Sequence, residues 1–354
     1  MSCFSQVRDI SQIQILPNVD AAVFKSAIFV GEAANIRVYR MPNKDWLYCC
    51  NNGIAVPYAI ADPAFRHVTV YTVKIPEEDT DNVLTRFLLR TAFECRFCHE
   101  SIISLHAACV EVGDTAVCFT GDSGVGKSTR AQAWIDALGA QFISGDRPAI
   151  RPENQGCTAC GVPWDGKEQI FRNVERPLKA ILEVRRAPFT RLRRLTPDQA
   201  YGVLIRQAFI PMWDTETAVL AMANVRRLCR SVPVYRLFGG PDAQSAREAY
   251  DILYSAPQSI KEELPQMQIK EGFVLRNVAD EHMVMPTGDN IARFGGAVVL
   301  SDTAAFIFEQ LRQPVSREDL LDLVLAEFDV DTDTAARDLD ALLAQFTEMG
   351  LLEE

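Results

Sequence analysis

The spacing of apolar positions divides the chain into stretches of different period. β-Branched and aromatic runs at Ile36-Arg37-Val38-Tyr39, Trp46-Leu47-Tyr48-Cys49 and His67 to Val73 alternate with turn residues such as Pro42-Asn43 and Asn51-Asn52-Gly53. That pattern predicts a small β-rich segment. Val83, Leu84, Phe87, Leu88 and Ala92 then recur at helical spacing, predicting a helix over about 80–97. The apolar runs Ile102 to Val112 and Ala116 to Thr120, separated by Gly113-Asp114, predict a hairpin with His106 on its first strand. Arg130 to Leu138 is helical in period, and Gln141 to Ser144 reads as a strand. Thr196-Pro197-Asp198 opens a further helix, Val232 to Leu237 is a strand and Ala243 to Leu253 a helix.

Pro257 to Lys270 is polar and poor in large apolar residues, as a linker would be. Beyond it, short strands at 273–275, 283–285 and 297–300 precede helices. The first two of these open at capping clusters, Ser301-Asp302-Thr303 and Ser316-Arg317-Glu318-Asp319. The last places Leu339, Leu342, Leu343, Phe346 and Met349 on one side, completing a winged-helix-like module. The predicted architecture is α/β. A β-rich segment, 1–78, packs on an α/β domain, 79–256. A linker, 257–270, leads to a separate module, 271–354.

Charge sharpens that division. The net charge is −11, yet residues 271–354 carry 18 acidic and 5 basic side chains, against 29 and 31 in residues 1–270. An acidic module argues against nucleic acid as its partner and suits a basic peptide. A basic stretch over 167–194, with nine Lys or Arg against three Glu, faces phosphates, an acidic substrate or, as a solvated strand edge, water. No apolar run reaches the length of a membrane span, and no signal peptide opens the chain, so a cytoplasmic location is expected. A homo-oligomer is compatible with the sequence.

Ten cysteines include two C-x-x-C pairs, Cys95/Cys98 and Cys157/Cys160. The first is followed by His99, spelling a haem-attachment pattern, but it lies in an apolar helical run. Buried reduced thiols are the expected reading. A four-thiolate zinc site shared by the pairs is the alternative.

The chemistry is most specific at Gly121-Asp122-Ser123-Gly124-Val125-Gly126-Lys127-Ser128-Thr129, which fits G-x-x-x-x-G-K-[ST] between a strand and a helix. Its glycines let the backbone approach phosphate oxygens. Lys127 reaches the terminal phosphates, and the Ser128 hydroxyl can ligate Mg²⁺. Asp146, at the end of the next strand, is placed for metal coordination or base catalysis.

Residues 80–255 resemble the HPr kinase/phosphorylase superfamily, chiefly its HPr-kinase-related branch. The resemblance rests on Ser104-Leu105-His106-Ala107-Ala108, on the Asp122-Ser123 version of the phosphate loop, and on Gly161-Val162-Pro163-Trp164-Asp165-Gly166-Lys167. It extends to Arg193 to Pro197 and Val232 to Leu237. It implies a phosphoenolpyruvate-carboxykinase-like fold and ATP- and Mg²⁺-dependent transfer to a hydroxyl. His106 would lie at the transfer site, and Lys167 would steady the phosphoryl group or the substrate. The family's two adjacent Asp are here Gly145-Asp146, which leaves Asp146 as metal ligand, base, or both.

Residues 271–354 resemble the PqqD-like family, which includes peptide-recognition elements of ribosomal peptide biosynthesis. The matching residues are Asn277 to Glu281, Leu300 to Ile307, Phe328-Asp329-Val330 and Gly350 to Glu353. This implies capture of a precursor's leader peptide by edge-strand addition. Together the two resemblances imply a kinase acting on a Ser or Thr of that precursor. A small-molecule hydroxyl kinase and a non-catalytic nucleotide-binding peptide adaptor are the alternatives.

Overall fold

β-Branched and aromatic residues build the first sheet. The computed structural model describes residues 12–16, 20–33, 36–50, 57–72, 80–164, 172–187, 189–255, 266–278, 280–294 and 296–352. Six strands open the chain: β1 (Gln12–Leu16), β2 (Ile28–Ala33), β3 (Ile36–Arg40), β4 (Trp46–Cys50), β5 (Tyr58–Ala61) and β6 (His67–Tyr71). Their order is β1-β6-β5-β4-β3-β2, antiparallel except where β1 runs parallel to β6. Strand β4 is buried at every position because each face has its own cover. Trp46, Tyr48 and Cys50 pack with Leu88, Ala92 and Cys95 of helix α1 (Thr80–His99), while Leu47 and Cys49 pack with Tyr58, Val23 and Phe24.

A second, nine-stranded sheet carries the glycine loop of residues 121–129. Its first elements are β7 (Ile103–Ser104), β8 (Ala107–Val112), β9 (Thr115–Thr120), α2 (Lys127–Leu138) and β10 (Gln141–Ser144). Then follow β11 (Ala149–Pro152), β12 (Cys157–Cys160), β13 (Glu175–Arg186), β14 (Arg191–Arg194), α3 (Pro197–Gln207), α4 (Thr215–Ser231), β15 (Val234–Gly239) and α5 (Ala243–Tyr254). The main path is β10-β8-β9-β13-β12-β11-β7, with β15 joined to β13 and β14. Only β9 and β13 are parallel along that path. Both faces of its centre are covered, as near-continuous apolar strands require. Phe119 meets Trp134 of α2 edge-on at 5.3 Å. Cys109, Cys118 and Ile181 pack with Leu204, Val225 and Leu228 of α3 and α4. Helix α3 starts at a capping box in which Thr196 and Gln199 satisfy each other's backbone.

Backbones come unusually close at Gly161. Its N–H donates to the Val174 carbonyl at 2.9 Å, and a Cβ there would sit 1.7 Å from the Arg172 carbonyl oxygen. Gly161→Ala therefore forces the strand apart. Overpacking ordinarily costs about 1–3 kcal/mol, and a backbone clash belongs at or beyond that upper end. The expected result is a clearly lowered thermal midpoint by circular dichroism.

A second compact unit comprises Ala249–Glu354 with the strips Arg185–Arg191 and Phe238–Gly240. It holds β16 (Gln266–Met267), β17 (Phe273–Val278), β18 (Glu281–Pro286), β19 (Val298–Leu300), α6 (Asp302–Gln310), β20 (Val315–Ser316), α7 (Arg317–Glu327) and α8 (Thr332–Glu348). An antiparallel β17-β18-β19 sheet shares a core with the helices, built from Val284, Leu300, Phe308, Leu320, Leu339 and Phe346. The expected caps are present: the Ser301 hydroxyl accepts from the Ala304 N–H, and the Ser316 hydroxyl from that of Asp319. The linker assigned to 257–270 runs too far. β16 pairs with β20, Ile269 is buried, and Lys270 N–H donates to the Leu351 carbonyl at 2.8 Å. Met267 and Ile269 alternate with polar neighbours, and two apolar anchors in a polar stretch are too few to announce a strand. Among the described residues no helix is long and apolar enough to cross a membrane.

Candidate active site

The loop between β9 and α2 is shaped by its glycines. Gly121, Gly124 and Gly126 have φ of 137°, 82° and 103°, the left-handed region that side chains resist. Gly126 is the N-cap of α2 and supplies no side-chain cap, so the first N–H groups of the helix lack that partner. Such a terminus, with its positive dipole end, suits phosphate oxygens. Ser128 and Thr129 lie in that first turn, while Asp122, Ser123 and Val125 form the loop. The Lys127 ammonium folds back to donate to the Gly121 and Asp122 carbonyls, each at 3.0 Å. Burial holds its pKa below the usual lysine value, and the carboxylates of Asp146 and Asp122 act against that shift.

His106 lies in a break between β7 and β8, not on a strand as expected. The apolar run is interrupted because its neighbours change there. Leu105 N–H donates to the Pro148 carbonyl, His106 N–H to that of Gln207, and Ala107 N–H to that of Asp146. The segments carrying Asp146 and Gln207 are thus tied to the one carrying His106. Asp146 Oδ1 lies 3.6 Å from His106 Nε2. Gln207 bonds the His106 ring, and its Nε2 donates to Asp122 Oδ1 at 3.4 Å. The Thr120 hydroxyl, last in β9, donates to the His106 carbonyl at 2.9 Å.

Burial, then the charge of Lys127, push His106 below the usual imidazole pKa, with Asp146 pulling the other way. In the free protein its ring should titrate below 6.5, the ordinary value, and be neutral at pH 7. Lys127→Ala removes a cation and should raise that pKa, read by NMR titration of the ring protons. An unchanged or lowered value would contradict this electrostatic account.

Three charged residues join this site that spacing along the chain did not single out. Arg90 Nη1 lies 3.8 Å from Asp146 Oδ2. Glu94 Oε2 lies 3.5 Å from Arg90 Nε, and its Oε1 lies 3.6 Å from Arg147 Nη1. The only signal was an Arg90/Glu94 spacing of four on a helix, which ordinarily marks a solvated pair. Lys167, with Asp165 and Gly166, lies outside the described residues. Trp164 of the same element is buried against Phe93 and Phe97.

The donors suit the implied Mg²⁺. The Ser128 hydroxyl and Asp146 carboxylate are hard oxygen ligands, and Mg²⁺ commonly takes one or two carboxylates plus substrate phosphates. Among the described residues no group of three or more His, Cys, Asp or Glu converges. All nine described cysteines are free and buried. Cys157 and Cys160, three apart on β12, project to opposite faces: one joins Ile181 and Leu228, the other Phe97 and Trp164. That geometry opposes joint chelation by this pair. Burial pushes the Cys98 thiol up to about 12, and its sulfur donates to the Glu94 carbonyl at 3.3 Å.

Comparisons with known proteins place the second unit. Residues 281–352 match the family described as Coenzyme PQQ synthesis protein D (PqqD). No curated protein matches the chain. Among solved structures it is similar to TbiB1 in complex with the TbiA(beta) leader peptide, at 26% identity over 24% of this chain and 94% of that one, with a TM-score of 0.21. A lasso peptide synthetase B1 complexed with the leader peptide is similar at 23% identity, over 25% of this chain and 98% of that one, TM-score 0.22. The Hpr(Ser) kinase/phosphatase from Coxiella burnetii is similar at 13% identity, over 38% of this chain and 83% of that one, TM-score 0.22. The chain carries a mixed α/β unit with a glycine-rich loop before α2 and, at its C-terminal end, a PqqD domain.

Proposed function

We propose that this protein is an ATP- and Mg²⁺-dependent kinase that phosphorylates a Ser or Thr hydroxyl of a ribosomally made precursor peptide. The observation that carries the reading is the meeting of Asp146 and His106 beside the Lys127 loop. Lys127 and the N-terminus of α2 bind the donor phosphates. Ser128 and Asp146 hold Mg²⁺, which when bound neutralises charge on phosphate oxygens. Asp146 takes the proton from the acceptor hydroxyl. The freed oxygen forms its bond to the γ-phosphorus as the bond to the bridging oxygen breaks, and ADP leaves. His106, neutral at pH 7, orients Asp146. Lys167 steadies the transferred group or the acceptor.

The PqqD match supports the peptide half. The β17-β18-β19 sheet has two outer strands, and an outer strand offers unpaired backbone groups to an incoming peptide. The acidic charge of residues 271–354 favours a leader with Lys or Arg. Holding the leader raises the acceptor's effective concentration, to the order of mM for short flexible linkers.

Incubation of the full chain with its precursor, ATP and Mg²⁺ should add the mass of one phosphate. No gain with the cognate precursor would sink the proposal. Free leader peptide added in trans should raise the apparent KM for the precursor and leave kcat unchanged. A small-molecule kinase would not respond to it. The second reading, a nucleotide-gated adaptor, draws on Gly145 in place of the second Asp. It requires nucleotide and peptide binding without turnover in either Mg²⁺ or Mn²⁺.

A further inference from the structure

Glu94 is a carboxylate in the wrong place for a bystander. It lies on α1 at 2% exposure, where an uncompensated charge is costly. Three groups compensate it. The Ser104 hydroxyl donates to Oε1 at 2.7 Å, Arg147 Nη1 approaches the same oxygen at 3.6 Å, and Arg90 Nε approaches Oε2 at 3.5 Å. Both arginines are thereby tethered, one from the helix and one from the turn after Asp146. Arg90 is also steadied over the Phe87 ring, 5.2 Å from its centroid. Its Nη1 is left facing Asp146 Oδ2 at 3.8 Å, too long for a hydrogen bond and close enough for attraction. A tethered guanidinium whose outer edge lacks a tight partner among the described residues is prepared for an anion that arrives later.

The charge balance at the site points the same way. Lys127 and Arg90 both lie within electrostatic reach of Asp146, Arg147 within reach of Lys127 and His106, and Gly145 brings no acid. Phosphoryl transfer spreads negative charge over three equatorial oxygens, and preorganised cations stabilise it. We propose that Arg90 is a further catalytic residue that contacts the transferred phosphoryl group, and that Glu94 is a positioning residue that fixes Arg90 and Arg147 for that contact. This rests on the kinase reading above. One buried carboxylate thus draws two arginines from different elements to the same place.

The test compares calorimetric binding of ADP with and without aluminium fluoride, in Mg²⁺, for the full-length wild type, Arg90→Ala, Arg90→Lys and Glu94→Gln. Aluminium fluoride stands for the phosphoryl group in transfer. Wild type should gain at least about tenfold in affinity when it is added, and Arg90→Ala should lose that gain with ADP affinity held within about threefold. Arg90→Lys should recover only part of it, because an ammonium lacks the planar fork. Glu94→Gln should fall between, since the amide keeps an acceptor for Ser104 but no charge for the arginines. Guanidinium ion added to Arg90→Ala should restore part of the gain, which a structural role would not produce. With a turnover assay, Arg90→Ala should lower kcat by roughly 10²–10³ with KM for ATP little changed. A gain retained in Arg90→Ala, or absent from wild type, overturns the proposal. Should Arg90→Ala fail to fold, Arg90→Lys and Glu94→Gln decide. A wild type that shows the gain but leaves the precursor unphosphorylated refutes the peptide-kinase reading and leaves the Arg90 contact standing.

Discussion

Asp146→Asn should lower phosphoryl transfer by about 10²–10⁴ while nucleotide still binds through Lys127 and the α2 N-terminus, less tightly in Mg²⁺ because a proposed metal ligand is lost. The carboxylate has one oxygen toward His106 and the other toward Arg90, and its backbone carbonyl anchors Ala107. Asparagine keeps the shape and the backbone bond but cannot take a proton or hold a metal as a carboxylate does. Loss of positioned base catalysis is worth about 10²–10⁴ in rate. Gly145 provides no neighbouring acid to substitute. A steady-state phosphate-transfer assay, paired with fluorescent-nucleotide titration, separates the two effects. If Asp146→Asn transfers phosphate at more than about a tenth of the wild-type rate, Asp146 is not the base.

Lys127→Ala should act one step earlier, on nucleotide binding. The Lys127 ammonium rests on two loop carbonyls, with no carboxylate partner at bonding distance among the described residues, so it can be redirected to phosphate at little cost. Charge-assisted hydrogen bonds contribute about 1.5–3 kcal/mol, so affinity should fall by roughly tenfold to a hundredfold. Thermal stability should change little, because the removed bonds go to carbonyls in a partly exposed loop. Equilibrium titration and a melting curve check both parts. Unchanged nucleotide affinity would remove Lys127 from the phosphate site.

Much of the scaffold was legible along the chain, for identifiable reasons. β3, β4 and β6 are β-branched and aromatic runs bounded by turn residues, and α1 has an apolar face repeated over several turns. The glycine loop stands out because three left-handed positions are hard to build otherwise. What escaped depends on long-range pairing. The break at His106 exists only because segments around residues 146 and 207 insert beside it. Glu94 looks like half of a surface pair until Ser104 and Arg147 arrive from other elements. β16 has a single apolar residue, Met267, and its partner lies far along the chain.

The buried thiols make the protein its own stopwatch. Burial raises the pKa of Cys50, Cys157 and Cys229 to about 11, so thiolate is scarce at neutral pH, and access is closed as well. Alkylation must therefore wait for the fold to open locally. Cys49 and Cys50 time the first sheet, Cys95 and Cys98 the helix that carries Arg90, and Cys109 and Cys118 the two strands leading to the phosphate loop. The last cysteine in the chain is Cys229, so the PqqD domain is silent to this chemistry. Mass-resolved labelling with and without nucleotide would then rank which parts of the first unit a bound phosphate tightens, free of any signal from peptide capture.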